Sequence, residues 1–122
     1  MSNETAYKIF QLNEWELLKV QGHFKGSPVD VQDGYIHLSS EDQVQGTLDK
    51  HYTNGTDVVI AQLDLKRVKE DIRFEVSRGG AKFPHLYADL PLTAIVKFAM
   101  FKPNAAGRYI FESNALKSET SS

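Results

Sequence analysis

An α+β domain is the fold class this sequence predicts, and three observations predict it. Segments of strand period and of helical period alternate along the chain, giving two main helices and five or six strands. The 122 residues fill one domain and leave little room for a second. Hydrophobic residues at 41% and charged residues at 25% are ordinary globular composition and exclude wholesale disorder. The expected organisation is a disordered start over 1–5, one globular domain over 6–112 and a flexible tail over 113–122.

The elements follow in order. Ala6–Leu12, with Tyr7, Ile9 and Phe10, reads as a first strand. Asn13 is a helix cap, Glu16 three residues on completes a capping box, and Leu12 and Leu17 fit a hydrophobic staple. Trp15 and Leu18 share one face of this helix, and Gly22 stops it. Residues 23–33 hold Gly26, Ser27, Pro28, Asp30 and Asp33 and read as a loop. Tyr35–Leu38 is a short strand, with Ile36 and Leu38 on one side and Tyr35, His37 and Ser39 on the other. Ser40 with Gln43 caps a second helix whose apolar face is Val44, Leu48 and Tyr52, and Asn54-Gly55 ends it.

Asp57–Leu63 is a strong strand, and Asp64–Lys69 a single helical turn. In the strand Ile72–Val76, Ile72, Phe74 and Val76 point one way while Arg73 and Glu75 point the other. Gly79-Gly80, Pro84 and Pro91 make 77–92 mostly loop. Thr93–Phe101 is the longest strand, and Tyr109–Phe111 a short last one.

Composition narrows the chemistry. The absence of cysteine excludes a disulfide scaffold, a thiolate nucleophile and cysteine-ligated metals. No histidine pair has helical ligand spacing, so no metal is expected. No apolar run reaches a membrane span and no signal-peptide pattern opens the chain, which places it in the cytosol with no membrane partner. Net charge is −2, with four basic against nine acidic residues in 1–61 and ten against seven in 62–122. Neither half has the charge of a nucleic-acid-binding protein. The surplus in the second half is either a solvated surface or a local anion site.

Three constellations could carry chemistry. His37, with Ser39 on its face, can hold a ribose hydroxyl or move a proton, or else is a half-buried histidine bonded to backbone. Arg73 and Glu75 are an ion pair, or Glu75 is a carboxylate that steadies an oxocarbenium-like centre. The stretch Ser77–Tyr87 offers Gly79-Gly80 for close backbone approach, Arg78 and Lys82 for phosphate, and Phe83, His85 and Tyr87 for stacking or hydrogen bonds. A structural loop packed by its own Phe and Pro is the alternative there.

Together these residues resemble the bacterial "domain of unknown function 952" family. The matching pieces are Tyr7-Lys8-Ile9, Glu14-Trp15, Gly26-Ser27 with Asp30, Asp33–Ser39, Arg73-Phe74-Glu75, Phe83–Tyr87 and Leu90-Pro91-Leu92. The resemblance implies an ADP-ribosyltransferase-type fold, a small split and curved β structure with a cleft for NAD. It is similar also to RNA 2′-phosphotransferases of that fold, in which a His-Leu-Ser strand end precedes a helix. Those carry a histidine in the first strand, where Lys8 stands here. The resulting expectation is a nucleotide-processing or ADP-ribosyl-transfer-like enzyme. Its catalytic candidates are His37, Glu75 and His85, and its ligand-binding candidates Tyr35, Ser39, Arg73, Arg78, Lys82 and Tyr87. The ligand is small and nucleotide-like or anionic, such as NAD or ADP-ribose, and the chain a monomer or weak dimer. The alternatives are a non-catalytic nucleotide- or anion-binding module and an interaction protein with an apolar patch around Phe83–Tyr87.

Overall fold

The computed structural model describes residues 4–52 and 55–118, the side chain of Arg78 excepted. Three antiparallel sheets organise it. Strands β1 (Thr5–Gln11), β4 (Val58–Asp64) and β8 (Ile95–Phe101) form one sheet in the order β1-β4-β8. Strands β3 (Ile36–His37), β5 (Ile72–Val76) and β6 (Lys82–Leu86) form a second in the order β3-β6-β5. Strands β2 (His23–Phe24) and β7 (Leu90–Pro91) make a small third ribbon. Tyr7 and Ser39 exchange backbone hydrogen bonds of 2.7 and 2.9 Å, and this bridge ties the end of the β3 segment to β1. Helices α1 (Leu12–Gln21), α2 (Pro28–Asp33) and α3 (Val44–His51) complete the α+β domain. Among the described residues no helix is long and apolar enough to cross a membrane.

The first sheet is covered on both faces. Period 2 puts Ala6 and Phe10 of β1 and Val59, Ala61 and Leu63 of β4 on one side, packed with Trp15, Leu18, Phe24, Ile36 and Leu86. Tyr7, Ile9, Val58 and Ile60 face the other side and meet Val44, Leu48, Phe101, Tyr109 and Leu116. A strand buried on both faces needs an unbroken apolar run, and Val58-Val59-Ile60-Ala61 supplies it. Phe10 sits at the junction, 5.3 Å from the Trp15 ring of α1 and 5.4 Å from Phe24 of β2.

Several expectations are corrected. Helix α1 begins two residues early, because Gln11 and Glu14 form the capping box instead of Asn13 and Glu16. Leu12 and Leu17 are exposed and make no buried staple. The Ser27-Pro28 pair reads as a helix start rather than a loop: Ser27 and Asp30 form a capping box with Pro28 in the first turn of α2. Residues 82–86 are a strand, and Gly79 and Gly80, both at positive φ, serve the tight β5–β6 connection. Its closing bonds run from Ser77 N–H to the Ala81 carbonyl and from Gly80 N–H to the Ser77 carbonyl. Tyr109–Phe111 is not a strand; Tyr109 is buried and its hydroxyl donates to the Thr56 carbonyl. Thr5, expected to be disordered, pairs with Asp64, and residues 113–118, expected in the tail, dock through buried Leu116 and a Phe98–Lys117 bridge. Of the Asn54-Gly55 stop, Asn54 lies outside the described residues, and α3 ends at His51.

Phe10→Ala empties a site shared by three elements and is expected to cost about 3–5 kcal/mol. In urea the midpoint should fall with an unchanged m-value; a loss below about 1 kcal/mol would show that Phe10 does not hold this junction.

Candidate functional site

The β3-β6-β5 sheet builds the site by register. His37 of β3 lies opposite His85 of β6, and His85 lies opposite Arg73 of β5, so three side chains form one row across the sheet. Alternation adds Glu75 to the same face of β5, Tyr87 beyond the end of β6 and Tyr35 ahead of β3. The opposite face carries Ile36 and Leu86 into the core.

Each imidazole is held by a carboxylate. His37 Nδ1 is 2.6 Å from Asp30 Oδ1, and His85 Nδ1 is 2.7 Å from Glu75 Oε1. A carboxylate oxygen accepts, so in each pair Nδ1 carries the hydrogen and the other nitrogen, Nε2, is the working edge. On His37 that edge lies 3.0 Å from Asp33 Oδ2. On His85 it has no hydrogen-bond partner among the described residues. The residue is only 2% exposed.

Tyr35 explains that burial. Its ring stacks on His85 with centroids 4.1 Å apart and planes 22° apart, and it also touches His37 at 4.7 Å and Tyr87 at 5.2 Å. Stacking covers the face of the imidazole. Burial, then the charges of Asp33, Glu75 and Asp30, push the Tyr35 phenol up and keep it a hydrogen donor. Glu75 is pulled the other way: hydrogen bonds from Tyr87 and then His85 hold it below the usual carboxylate range. Tyr87 donates to Glu75 at 2.7 Å, the same bond that raises its own pKa. Both of these donors reach Oε1, and Oε2 is left for another partner. Arg73 lies over the Tyr87 ring at 5.3 Å and makes no ion pair with a described residue.

Beneath His37 lies a buried network that sequence reasoning did not assign to the site. Lys8 alternates with Ala6 and Phe10 and so faces the core side of β1, where it is 6% exposed and bonds Asp30 Oδ2 at 2.9 Å. It also donates to the His37 carbonyl at 3.1 Å. Asp30 further accepts from the Ser27 and His37 N–H groups at 2.9 and 3.1 Å. Burial alone would raise the Asp30 pKa, but the His37 hydrogen bond, the Lys8 charge and the Ser27 N–H outweigh it and hold the group well below the ordinary carboxylate range. Gly26 is required beside it: its φ is +119°, and a Cβ there would stand 2.6 Å from Asp30 Cβ. The signal that could have revealed the pair is a lysine on the apolar parity of a strand, which needs a buried acid.

Thus His37, His85, Glu75, Tyr35, Tyr87 and Arg73 come together, with Asp33 beside them. Ser39 does not join: it is buried by the bridge to Tyr7, and its hydroxyl meets Thr47 of α3 at 3.1 Å. Lys82 has the strand parity of Pro84 and Leu86, which turns it from the row. The Arg78 side chain lies outside the described residues. Pro84, His85 and Leu86 are buried, so the apolar patch expected around Phe83–Tyr87 is mostly covered. Two surface clefts lie elsewhere, one lined by Leu65, Lys69 and Phe74 and one by Asp49, Tyr52 and Arg108. Neither contains a histidine–carboxylate pair, and the chemistry is on the sheet face.

Lys8→Met and Asp30→Asn should each cost about 3 kcal/mol or more, because each leaves a buried partner behind. The double variant should lose clearly less than the sum, and additivity in a urea-denaturation cycle would deny the coupling. Since the Asp30 pKa is depressed by folding, its stabilisation is complete above roughly pH 5 and is lost as pH falls below the unfolded value of about 3.9. Asp30→Asn should flatten that acid limb.

The family model described as "Protein of unknown function (DUF952)" matches residues 9–98. The crystal structure of protein CC0527 from Caulobacter crescentus is 38% identical, with a TM-score of 0.81 over 87% of this chain and 93% of that one. The solution NMR structure of CC0527 is 39% identical, with a TM-score of 0.74 over 85% and 90%. No curated protein matches the chain. With three-quarters of its length matched by the family model and its fold shared with CC0527, the chain belongs to the DUF952 family.

Proposed function

We propose that the β3-β6-β5 face binds a small nucleotide and acts on it as an ADP-ribosyl-transfer-like enzyme, with NAD or a related nucleotide as substrate. The split β structure is, on this reading, of the ADP-ribosyltransferase type, and the protein works in the cytoplasm as a monomer or weak dimer. The observation that carries the reading is the row His37–His85–Arg73, with each imidazole fixed by its own carboxylate. The rings of half-buried Tyr35 and exposed Tyr87 suit a planar base or a sugar face. The Oε2 of Glu75, without a hydrogen-bond partner among the described residues, suits a ribose hydroxyl or the positive charge that develops as a glycosidic bond breaks. Arg73 supplies a guanidinium for phosphate.

Titration of isotope-labelled protein with millimolar NAD and ADP-ribose should move the amide signals of Tyr35, His37, Arg73, Glu75, His85 and Tyr87. Silence at all six would end the proposal. Glu75→Gln should preserve binding and lower NAD turnover by about 10²–10³-fold. A second reading, a module that binds without chemistry, is favoured by Lys8: its ammonium is taken up by Asp30 and the His37 carbonyl, so it offers a ligand nothing. Binding without NAD consumption, indifferent to Glu75→Gln, would select it.

A further inference from the structure

We infer that the free edge of β5 pairs with β5 of a second copy of this chain, giving a two-fold dimer in which the two β3-β6-β5 sheets become one. The pairing does not rest on the nucleotide reading. The ladder shows which backbone groups face outward. Tyr87 N–H bonds the Asp71 carbonyl at 2.8 Å, and the register sets Ile72 opposite Leu86, so Asp71, Arg73 and Glu75 turn their backbone groups toward β6. Pro84, opposite Phe74, agrees: it has no N–H, and its carbonyl accepts from Leu38 on the other side. The N–H and C=O groups of Ile72, Phe74 and Val76 therefore point away from the sheet, and no backbone hydrogen bond from a described residue reaches them. The other long edges are met by chain, Ser39 bridging to β1 and Lys117 to β8. Proteins shield an open edge with lysine, proline or a bulge. The β5 sequence IRFEV has neither residue and pairs with β6 without a register shift. Two of its apolar side chains are exposed instead, Phe74 at 39% and Val76 at 65%.

The occupant is a second copy because the strand is complementary to itself. An antiparallel pair centred on Phe74 sets Phe74 opposite the partner's Phe74, Ile72 opposite the partner's Val76 and Arg73 opposite the partner's Glu75. The first two pairs use the outward backbone groups, so the ladder continues across the axis. Their side chains lie on the face turned away from the histidines, where Ile72 and Phe74 line a cleft of about 200 Å³ with Leu65. Apolar pairs across the strands cover that surface. On the other face, Arg73 makes no ion pair with a described residue, and both bonds to Glu75 fall on Oε1. The partner's Arg73 stands where it can take Oε2, so each candidate site gains a charge from the other copy. Centring the pair on Arg73 or on Glu75 would oppose like charges, which fixes the register on Phe74. Two short strands make a small contact, so the dimer is weak and forms with concentration.

Sedimentation equilibrium of the full chain from micromolar to millimolar concentration should carry the mass from 13.8 kDa toward twice that value. Amide hydrogen exchange should alternate along β5: Phe74 and Val76 gain protection only at high concentration, while Arg73 and Glu75, bonded to β6, are protected throughout. Phe74→Pro removes an outward N–H and no bond to β6, and should weaken dimerisation about tenfold or more. Where that variant fails to fold, Val76→Lys at the exposed end of the strand is read with the same expectation. Arg73→Glu and Glu75→Arg should each be monomeric alone, and the two folded variants mixed should form a heterodimer, an acidic strand against a basic one. A wild-type mass fixed at 13.8 kDa up to millimolar concentration overturns the inference and leaves the edge to a strand of another protein. A dimer that survives Phe74→Pro and Val76→Lys overturns it too, and so does a mixture no heavier than its parts. Mass and exchange are read without nucleotide, so failure here leaves the nucleotide reading standing, and silence in the NAD titration leaves the dimer standing.

Discussion

The Asp30 carboxylate is the constraint on which the rest of the site depends. A buried carboxylate and a buried ammonium each lose several kcal/mol of hydration, and their attraction restores it only if the remaining lone pairs are filled. Here they are: Lys8 and the Ser27 N–H reach Oδ2, while the ring and backbone N–H of His37 reach Oδ1. One side chain thereby fixes the cap of α2, the inward parity of β1 and the position of β3. Its backbone adds to this, since the Asp30 carbonyl accepts from both Gly34 and Tyr35 N–H as α2 ends. The segment Gly26–His37 is a single electrostatic unit built around a buried charge pair.

That unit sets one imidazole, and strand pairing sets the other. His85 is central because β6 is the middle strand, flanked by His37 on one side and Arg73 on the other. The two carboxylates differ in kind. Asp30 is sealed under the sheet and saturated with donors, whereas Glu75 stands half-exposed with both of its donors on one oxygen. The first is a fixed anchor. The second can answer to a ligand, because water and ligand compete for its free oxygen.

Much of the frame was legible in the chain. The Trp15–Leu18 face, the Ser40–Gln43 cap and the Val44–Leu48–Tyr52 stripe all follow from short-range spacing and are present as read. The parity of Arg73 and Glu75 likewise follows from period 2. Polar strand faces, one Gly-rich loop and a resemblance made His37, Glu75 and His85 candidates, but their convergence was not legible, because pairing across strands is not a local property. Strand β6 was hidden by its proline. Pro84 survives in a middle strand because β3 is short: at that level the neighbour asks only for an acceptor, and the Pro84 carbonyl receives the Leu38 N–H at 3.1 Å. Helix α2 was hidden because Gly26, Ser27, Pro28 and Asp30 are turn formers and cap formers alike, and only the buried Lys8 decides between them. Ser39 shows the reverse error: its parity matches His37, but the Tyr7 bridge draws it under α3 before it can reach the face.

Tyr35 joins the two halves of the site. Its ring contacts both imidazoles, so the dyads share one apolar wall rather than standing in separate solvent shells. That wall lowers the local dielectric beside the Glu75–His85 bond, where a charge-assisted hydrogen bond gains strength as water is excluded. The phenol itself stands among Asp30, Asp33 and Glu75, whose charges oppose its ionisation. It therefore brings an uncharged donor to an acidic rim. The face thus combines carboxylate acceptors, a neutral phenol, one guanidinium and two imidazoles whose Nδ1 atoms are each fixed by a carboxylate, so its polar groups are oriented before any ligand arrives.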